Sequence, residues 1–171
     1  MEKACDWASS STSSSSVVSN ITYYTYWNSD INYNGTGSWL QSNWTDLNLS
    51  GLLNDTELDC RDLAAMIQVF SNSLGVSNIG MIKLGGDGTI NYYPIDFIDS
   101  SNEEDWESGS WNFHAVANYT NTTWNIYDAC CRVNETSPWL PEGVDVNGDY
   151  RDDLLRTGAW SPEKKGVTSV Y

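Results

Sequence analysis

Basic residues are scarce in this chain. Lysine and arginine number 8 against 23 aspartates and glutamates, giving a net charge of −15. That balance excludes a nucleic-acid partner, because phosphate binding depends on a basic surface that releases counterions. A solvated acidic surface, which keeps the protein soluble and repels like-charged surfaces, is the plain reading. Such a charge also suits calcium-rich or saline surroundings. Long apolar runs are missing too: no stretch of about eighteen apolar residues occurs, so no membrane span is expected. The opening Met1-Glu2-Lys3-Ala4-Cys5-Asp6-Trp7 lacks the apolar core of a signal peptide. Met1 is read as an added start or as the edge of a domain cut from a longer chain. Phenylalanine is scarce (3 residues), whereas tryptophan (9) and tyrosine (10) are plentiful among many Asn, Ser and Thr.

What is there points outside the cell. Eight Asn-x-Ser/Thr sequons occur, at Asn20, Asn34, Asn43, Asn48, Asn54, Asn118, Asn121 and Asn134, each a glycan acceptor if the chain is secreted. With little lysine and many aromatics, they favour an extracellular or cell-surface protein, alone or within a larger assembly. A length of 171 residues suits one domain with a full core. Residues 1–37 read as an N-terminal extension of it and residues 140–171 as an acidic C-terminal segment.

The Ser/Thr tract Ser9–Ser16 is a linker by composition, although apolar flanks keep a polar helix open. Tyr23 to Tyr33 is aromatic and turn-like, and Asn34-Gly35-Thr36-Gly37 is a turn. Residues 38–59 are irregular, with Trp39, Leu40, Trp44 and Leu47 among the core anchors. The clearest element is a helix from Cys60 to Leu74: Leu63, Ala64, Ile67, Phe70 and Leu74 recur on one face, Asp59 is the N-cap and Gly75 the stop. Strands are predicted over Ile79–Leu84 and Thr89–Ile95 around the turn Gly85-Gly86-Asp87-Gly88. An acidic loop covers 99–109. A strand from Trp111 to Tyr119 places Trp111, Phe113, Ala115, Ala117 and Tyr119 on one face and Asn112, His114, Val116 and Asn118 on the other. A matching strand runs from Thr123 to Arg132. Helix first and antiparallel strands after makes the fold class α+β.

Three residues carry chemistry. Cys60 opens the best helix, where the macrodipole and free N–H groups favour thiolate, lower the thiol pKa and offer an oxyanion hole. His114 is the only histidine, so no other imidazole base exists in the chain. With Thr120-Asn121-Thr122 as a three-residue loop, Tyr119 faces Thr123, Val116 faces Ile126 and His114 faces Asp128. A carboxylate there fixes the imidazole tautomer and stabilises the imidazolium. A loop one residue longer or shorter turns Asp128 to the opposite face. Singly, each residue has a structural role: a disulfide half or small hydrophobe, a core histidine, a turn cap. Jointly, Cys60, His114 and Asp128 form a nucleophilic triad.

Those residues resemble a known family. Asp59-Cys60-Arg61-Asp62-Leu63-Ala64, with Leu74-Gly75-Val76 after it, is similar to the catalytic-cysteine segment of transglutaminase-like domains of the papain-like cysteine protease superfamily. Phe113-His114-Ala115-Val116 resembles their histidine strand, and Trp124-Asn125-Ile126-Tyr127-Asp128-Ala129 the strand bearing the acid; Val116 stands where many members have Trp. Ala4-Cys5-Asp6-Trp7-Ala8 resembles the N-terminal segment of some secreted bacterial members. The resemblance implies a papain-like core and acyl transfer on a protein or peptide amide, with Cys60 attacking, His114 shuttling the proton and Asp128 orienting it. The expected reaction is that of a secreted peptidase or amidase; the alternatives are a cross-linking transglutaminase and an inactive extracellular binding or surface-assembly module. No cofactor is expected for catalysis.

Cys5, Cys130 and Cys131 remain. A disulfide from Cys5 to one of the adjacent pair would tie the N-terminus to the sheet, and since neighbours on a strand point apart, the other thiol would stay unpaired. A zinc site from Cys60, His114, Cys130 and Cys131 lacks paired C-x-x-C spacing. Finally, Asp145, Asn147, Asp149 and Asp153, with the Arg151 carbonyl, are spaced like the ligands of EF-hand-like calcium loops, with Tyr150 where glycine is usual. The reading is either a structural calcium site or an acidic surface turn.

Overall fold

The structure is a computed structural model describing residues 2–35, 38–86, 88–99, 104–119 and 124–171. Its helices are α1 (Glu2–Ala8), α2 (Ser14–Tyr26), α3 (Leu49–Asn54), α4 (Cys60–Ser73) and α5 (Asp149–Leu154). The strands are β1 (Asn32–Tyr33), β2 (Asp46–Leu47), β3 (Glu57–Leu58), β4 (Ile79–Leu84), β5 (Ile90–Phe97), β6 (Trp106–Trp111) and β7 (His114–Tyr119). They continue with β8 (Asn125–Tyr127), β9 (Cys131–Arg132), β10 (Glu142–Asp145), β11 (Leu155–Gly158), β12 (Glu163–Lys165) and β13 (Ser169–Val170). The class is α+β, and the two larger sheets are antiparallel.

Three layers follow from the burial pattern. A five-stranded sheet, in the order β10-β8-β7-β4-β12, lies in the middle. One face presents Ile79, Met81, Ala115, Ala117 and Tyr127 to α4 and α2, whose Leu63, Ala64, Ile67, Phe70, Val18 and Ile21 complete that core. The other face presents Ile82, Leu84, Val116 and Ile126 to Ile90, Tyr92 and Ile95 of β5 and to Tyr150 and Leu154 of α5. Strand β5 belongs to a second sheet, β11-β5-β6, with β9 also paired to β5.

α4 starts where the sequence predicts. Asp59 accepts from the N–H groups of Arg61 and Asp62, and Asp62 returns the contact to the Asp59 N–H, a capping box that stabilises a helix start by about 0.5–2 kcal/mol. The helix ends as Gly75 takes φ +84°, a conformation open to glycine at no Cβ cost. Asp62 also reaches across to the loop before β2: its Oδ1 accepts from Ser38 Oγ (3.0 Å), Trp39 N (2.7 Å) and Leu40 N (3.1 Å). The irregular segment is therefore pinned to the start of the helix that carries Cys60.

Several expectations are corrected. The Ser/Thr tract is a linker only in part, because Ser13 and Ser16 make a second capping box that starts α2. Tyr23 to Tyr26 is helical, not turn-like; Val18, Ile21, Thr22, Thr25 and Tyr26 are buried at helical spacing, which holds the polar helix on the core. The acidic segment becomes strand from Trp106. The strand predicted over 111–119 is broken at Asn112 and Phe113, so Trp111 packs with the Val116 side rather than with Ala115 and Ala117. The strand predicted over 123–132 is two short strands with a bend between them. Across β7 and β8 the register is Ala117–Tyr127, Asn118–Ile126 and Tyr119–Asn125. Ile126 thus faces Asn118 instead of Val116, a slip that preserves which face each side chain takes. The turn assigned to Thr120-Asn121-Thr122 lies outside the described residues, as do Thr36, Gly37 and Asp87. The sequon residue Asn118 is buried and donates to the Asn125 carbonyl (2.8 Å), so it cannot carry a glycan in the folded chain.

Two desolvated carboxyls, the buried Asp62 and the half-buried Glu142, make stability depend on pH. Desolvation, and then the neighbouring Asp59, raise Asp62 from 3.8 to about 6; desolvation raises Glu142 of β10 from 4.5 to about 7. Each folded-state pKa exceeds the unfolded value, so these contributions are fully present below about pH 4 and lost as pH rises through 6 and 7. The melting temperature is expected to fall by a few degrees between pH 4.5 and 7.5, on the order set by ~1 kcal/mol in a domain of this size. Glu142→Gln should remove the upper part of that fall; a curve unchanged by the substitution would show that Glu142 does not carry it.

Candidate active site

His114 is the first residue of β7 and is fully buried. Its Nε2 lies 2.9 Å from Oδ2 of Asp128, while its Nδ1 is buried with no hydrogen-bond partner. The ring stacks on Trp111 with centroids 4.2 Å apart and planes 11° from parallel. That arrangement follows from the break at Asn112 and Phe113, which folds the end of β6 back over the start of β7. Sequence reading placed Trp111 on the opposite face and so missed it; the only signal was a Trp three residues before the lone histidine.

Asp128 sits just after β8 and is 1% exposed. Four donors meet it: His114 and the Tyr150 hydroxyl at Oδ2 (2.9 Å each), the Cys131 thiol at Oδ2 (3.6 Å) and the Cys130 N–H at Oδ1 (2.8 Å). Tyr150 enters as a functional residue that the sequence did not reveal. It had been read as the non-glycine of a calcium loop, whereas α5 turns it inward, fully buried, onto Asp128. Burial pushes its phenol far up, so it stays a neutral donor.

Cys60 is the first residue of α4, 5% exposed, and forms part of the wall of a cleft of about 470 Å³. Tyr33, Tyr92, Phe97, Trp111 and Phe113 give that cleft an aromatic lining, and Asp59, Arg61 and Glu107 give it charge. The expected lowering of the Cys60 pKa by the helix start is overturned. Desolvation and then the Asp59 carboxylate push the thiol well up, outweighing the opposite influence of the nearby Ala115 N–H. The oxyanion hole foreseen at the helix start is also reduced, since the Arg61 and Asp62 N–H groups are taken by Asp59. The cap does not engage the Cys60 N–H.

The structure therefore brings His114 and Asp128 together and sets Cys60 near Ala115, the residue after His114. It does not join Cys60 to His114 Nδ1 by a hydrogen bond. All four cysteines are free: Cys5 is exposed on α1, and Cys60, Cys130 and Cys131 are buried. The Cys130 and Cys131 side chains do not point apart as strand neighbours would, but bring their sulfurs within 4.8 Å of one another, because the bend before β9 turns both inward.

The acidic segment is dispersed among other bonds. Asp153 Oδ2 accepts from Trp139 Nε1 (2.8 Å) and Asn134 Nδ2 (3.2 Å), Asn147 Oδ1 from Trp160 Nε1 (3.2 Å), and Asp145 Oδ1 from the Asn147 N–H (2.7 Å). Asp149 and Arg151 lie in α5, where Arg151 pairs with Asp152. Among the described residues, the gathered set of His, Cys, Asp and Glu donor atoms is His114, Asp128, Cys130 and Cys131, within 4.8 Å of one another. This set has Asp128 where the zinc grouping weighed from sequence had Cys60.

Family models, curated proteins and solved structures contain no match to this chain. Function follows from the chemistry of the site itself.

Tyr150→Phe deletes one hydroxyl bond to a buried carboxylate. It is expected to cost about 1.5–3 kcal/mol in urea unfolding, the range for a hydrogen bond to a charged group. An unchanged midpoint would show that Asp128 does not depend on Tyr150.

Proposed function

We propose that the protein catalyses cysteine-dependent acyl transfer on a peptide or protein amide, as a peptidase or amidase working outside the cell, on a transglutaminase-like core. Cys60 is the nucleophile, His114 the proton shuttle and Asp128 the positioning residue. The observation that carries this reading is the state of His114: one ring nitrogen is held by a buried carboxylate, and the other is buried without a partner among the described residues, one residue from Ala115, whose N–H lies near the Cys60 sulfur. A carboxylate on Nε2 orients the ring and stabilises the imidazolium, leaving Nδ1 to receive a proton.

Burial keeps Cys60 a neutral thiol at rest, so thiolate forms only as its proton passes to Nδ1. Catalytic hydrogen bonds are commonly unmade before substrate binds, and here the sulfur must move into reach of the imidazole. The thiolate then bonds to the amide carbonyl carbon. The tetrahedral oxyanion collapses as the C–N bond breaks, with His114 returning the proton to the leaving nitrogen. Water, deprotonated by His114, opens the resulting thioester, releasing the acid and restoring the thiol. The aromatic cleft at Cys60 supplies an apolar bed for side chains flanking the scissile amide.

A peptide carrying a thiol-directed electrophile should label Cys60, with the site mapped by mass spectrometry. His114→Ala is expected to slow labelling about 10²–10⁴-fold, and Asp128→Asn to slow it while circular dichroism confirms the fold. Equal labelling of wild type and His114→Ala would overturn the triad. Release of free amine without added acceptor marks hydrolysis; dependence on an added primary amine marks cross-linking.

A further inference from the structure

Acyl transfer leaves two buried nucleophilic groups unused. Cys130 and Cys131 are fully buried beside His114 and Asp128, and one donor atom from each of the four lies within 4.8 Å of the others. Two small hydrophobes would fill that space without thiols.

We propose that His114, Asp128, Cys130 and Cys131 form a binding site for one thiophilic divalent cation, zinc or its like, and that the bound ion silences acyl transfer by capturing His114 and Asp128. The second half rests on the function proposed above; the first does not.

The donor set fits a soft tetrahedral ion. Two thiolates, an imidazole and a carboxylate select zinc over calcium or magnesium, which prefer all-oxygen shells. With bonds of about 2.0–2.3 Å to N, O and S, tetrahedral neighbours stand roughly 3.3–3.8 Å apart. A group already within 4.8 Å closes on an ion by small shifts. The ion replaces two protons, one from each thiol, while the proton that His114 Nε2 shares with Asp128 at 2.9 Å moves to Nδ1, so the imidazole binds as a neutral ligand. Burial holds both thiols protonated in the free protein, and a bound dication reverses that by deprotonating its thiol ligands outright. The resulting group carries one net negative charge, as three-cysteine, one-histidine sites do. The outer shell is in place as well, since the Tyr150 hydroxyl and the Cys130 N–H already hold Asp128. Trp111, which lines the aromatic cleft, stacks on His114 and covers the group on that side.

The consequence is competition for two residues. Metal on Asp128 and the imidazole removes the carboxylate–imidazole pair that shuttles the proton from Cys60. Protons and metal therefore exclude each other at one site.

The test uses the full chain, reduced and freed of metal. Cobalt(II), a spectroscopic stand-in for zinc, should bind at one equivalent with thiolate charge-transfer bands in the near ultraviolet and tetrahedral d–d bands in the visible. Zinc should displace it. Cys130→Ala and Cys131→Ala, each checked for folding by metal-free melting, should weaken binding about tenfold or more, whereas Cys60→Ala should bind as wild type does. Binding without thiolate bands, or unaltered in both cysteine variants, overturns the site. In a separate arm, one equivalent of zinc should abolish electrophile labelling of Cys60 in wild type, a chelator should restore it, and Cys130→Ala should be labelled with or without zinc. Labelling that persists in zinc-loaded wild type overturns the regulation. If Cys60 is never labelled even in metal-free protein, the acyl-transfer reading fails, while the cobalt spectra still decide the metal site.

Discussion

A carboxylate taken almost wholly out of water has to be met by donors, and four meet Asp128. They come from the start of β7, the bend before β9 and helix α5, elements widely separated along the chain. Leaving a buried charge without its partner costs about 3–5 kcal/mol, so each of these elements is constrained by the same group. The tautomer of His114, the inward turn of Cys130 and Cys131 and the docking of α5 onto the central sheet all depend on it. Acyl transfer and metal capture are two uses of one constraint: both need a carboxylate fixed beside an imidazole in a dry pocket.

Cys60 illustrates two opposed effects at one residue. A helix start favours thiolate through free N–H groups and the macrodipole, an influence that fades within the first turn. Here the cap that makes the helix start well also spends its N–H groups and adds the Asp59 carboxylate next to the sulfur. Desolvation then decides the outcome in favour of the neutral thiol. A protein that keeps its nucleophile neutral at rest relies on an internal base to make thiolate at the moment of reaction. That places the demand on His114 rather than on the helix.

Much of the fold was legible because periodicity and capping are local. The apolar face of α4, its Asp59 cap and its Gly75 stop all read correctly, as did β4. The Ser/Thr tract misled because low complexity masked a face made of Val18, Ile21, Thr22, Thr25 and Tyr26, in which threonine serves as a core residue. The strand through Trp111 misled because alternation gives no warning of a bend. The pairing of His114 with Asp128 was anticipated from a register that is itself displaced, Asn118 rather than Val116 facing Ile126. A slip by an even number of residues keeps side chains on their faces, and Asp128 lies beyond the end of β8, where the bend carries it back to His114.

By itself the sequence determined the acidic, span-free character of the described chain, the helix that begins at Cys60, and the identity of the one imidazole. These follow from composition and from contacts within a few residues. Only the tertiary structure decided that Trp111 lies on His114, that Tyr150 and both adjacent thiols converge on Asp128, and that Cys60 is held neutral. Some of these join groups near in sequence through bends and others, such as Tyr150 with Asp128, join groups far apart, but all depend on a water-free space where hydrogen bonds and charges take strengths that no local pattern encodes. The His114–Asp128 pair belongs to both accounts: local alternation put the two side chains on one face, and long-range packing buried them together.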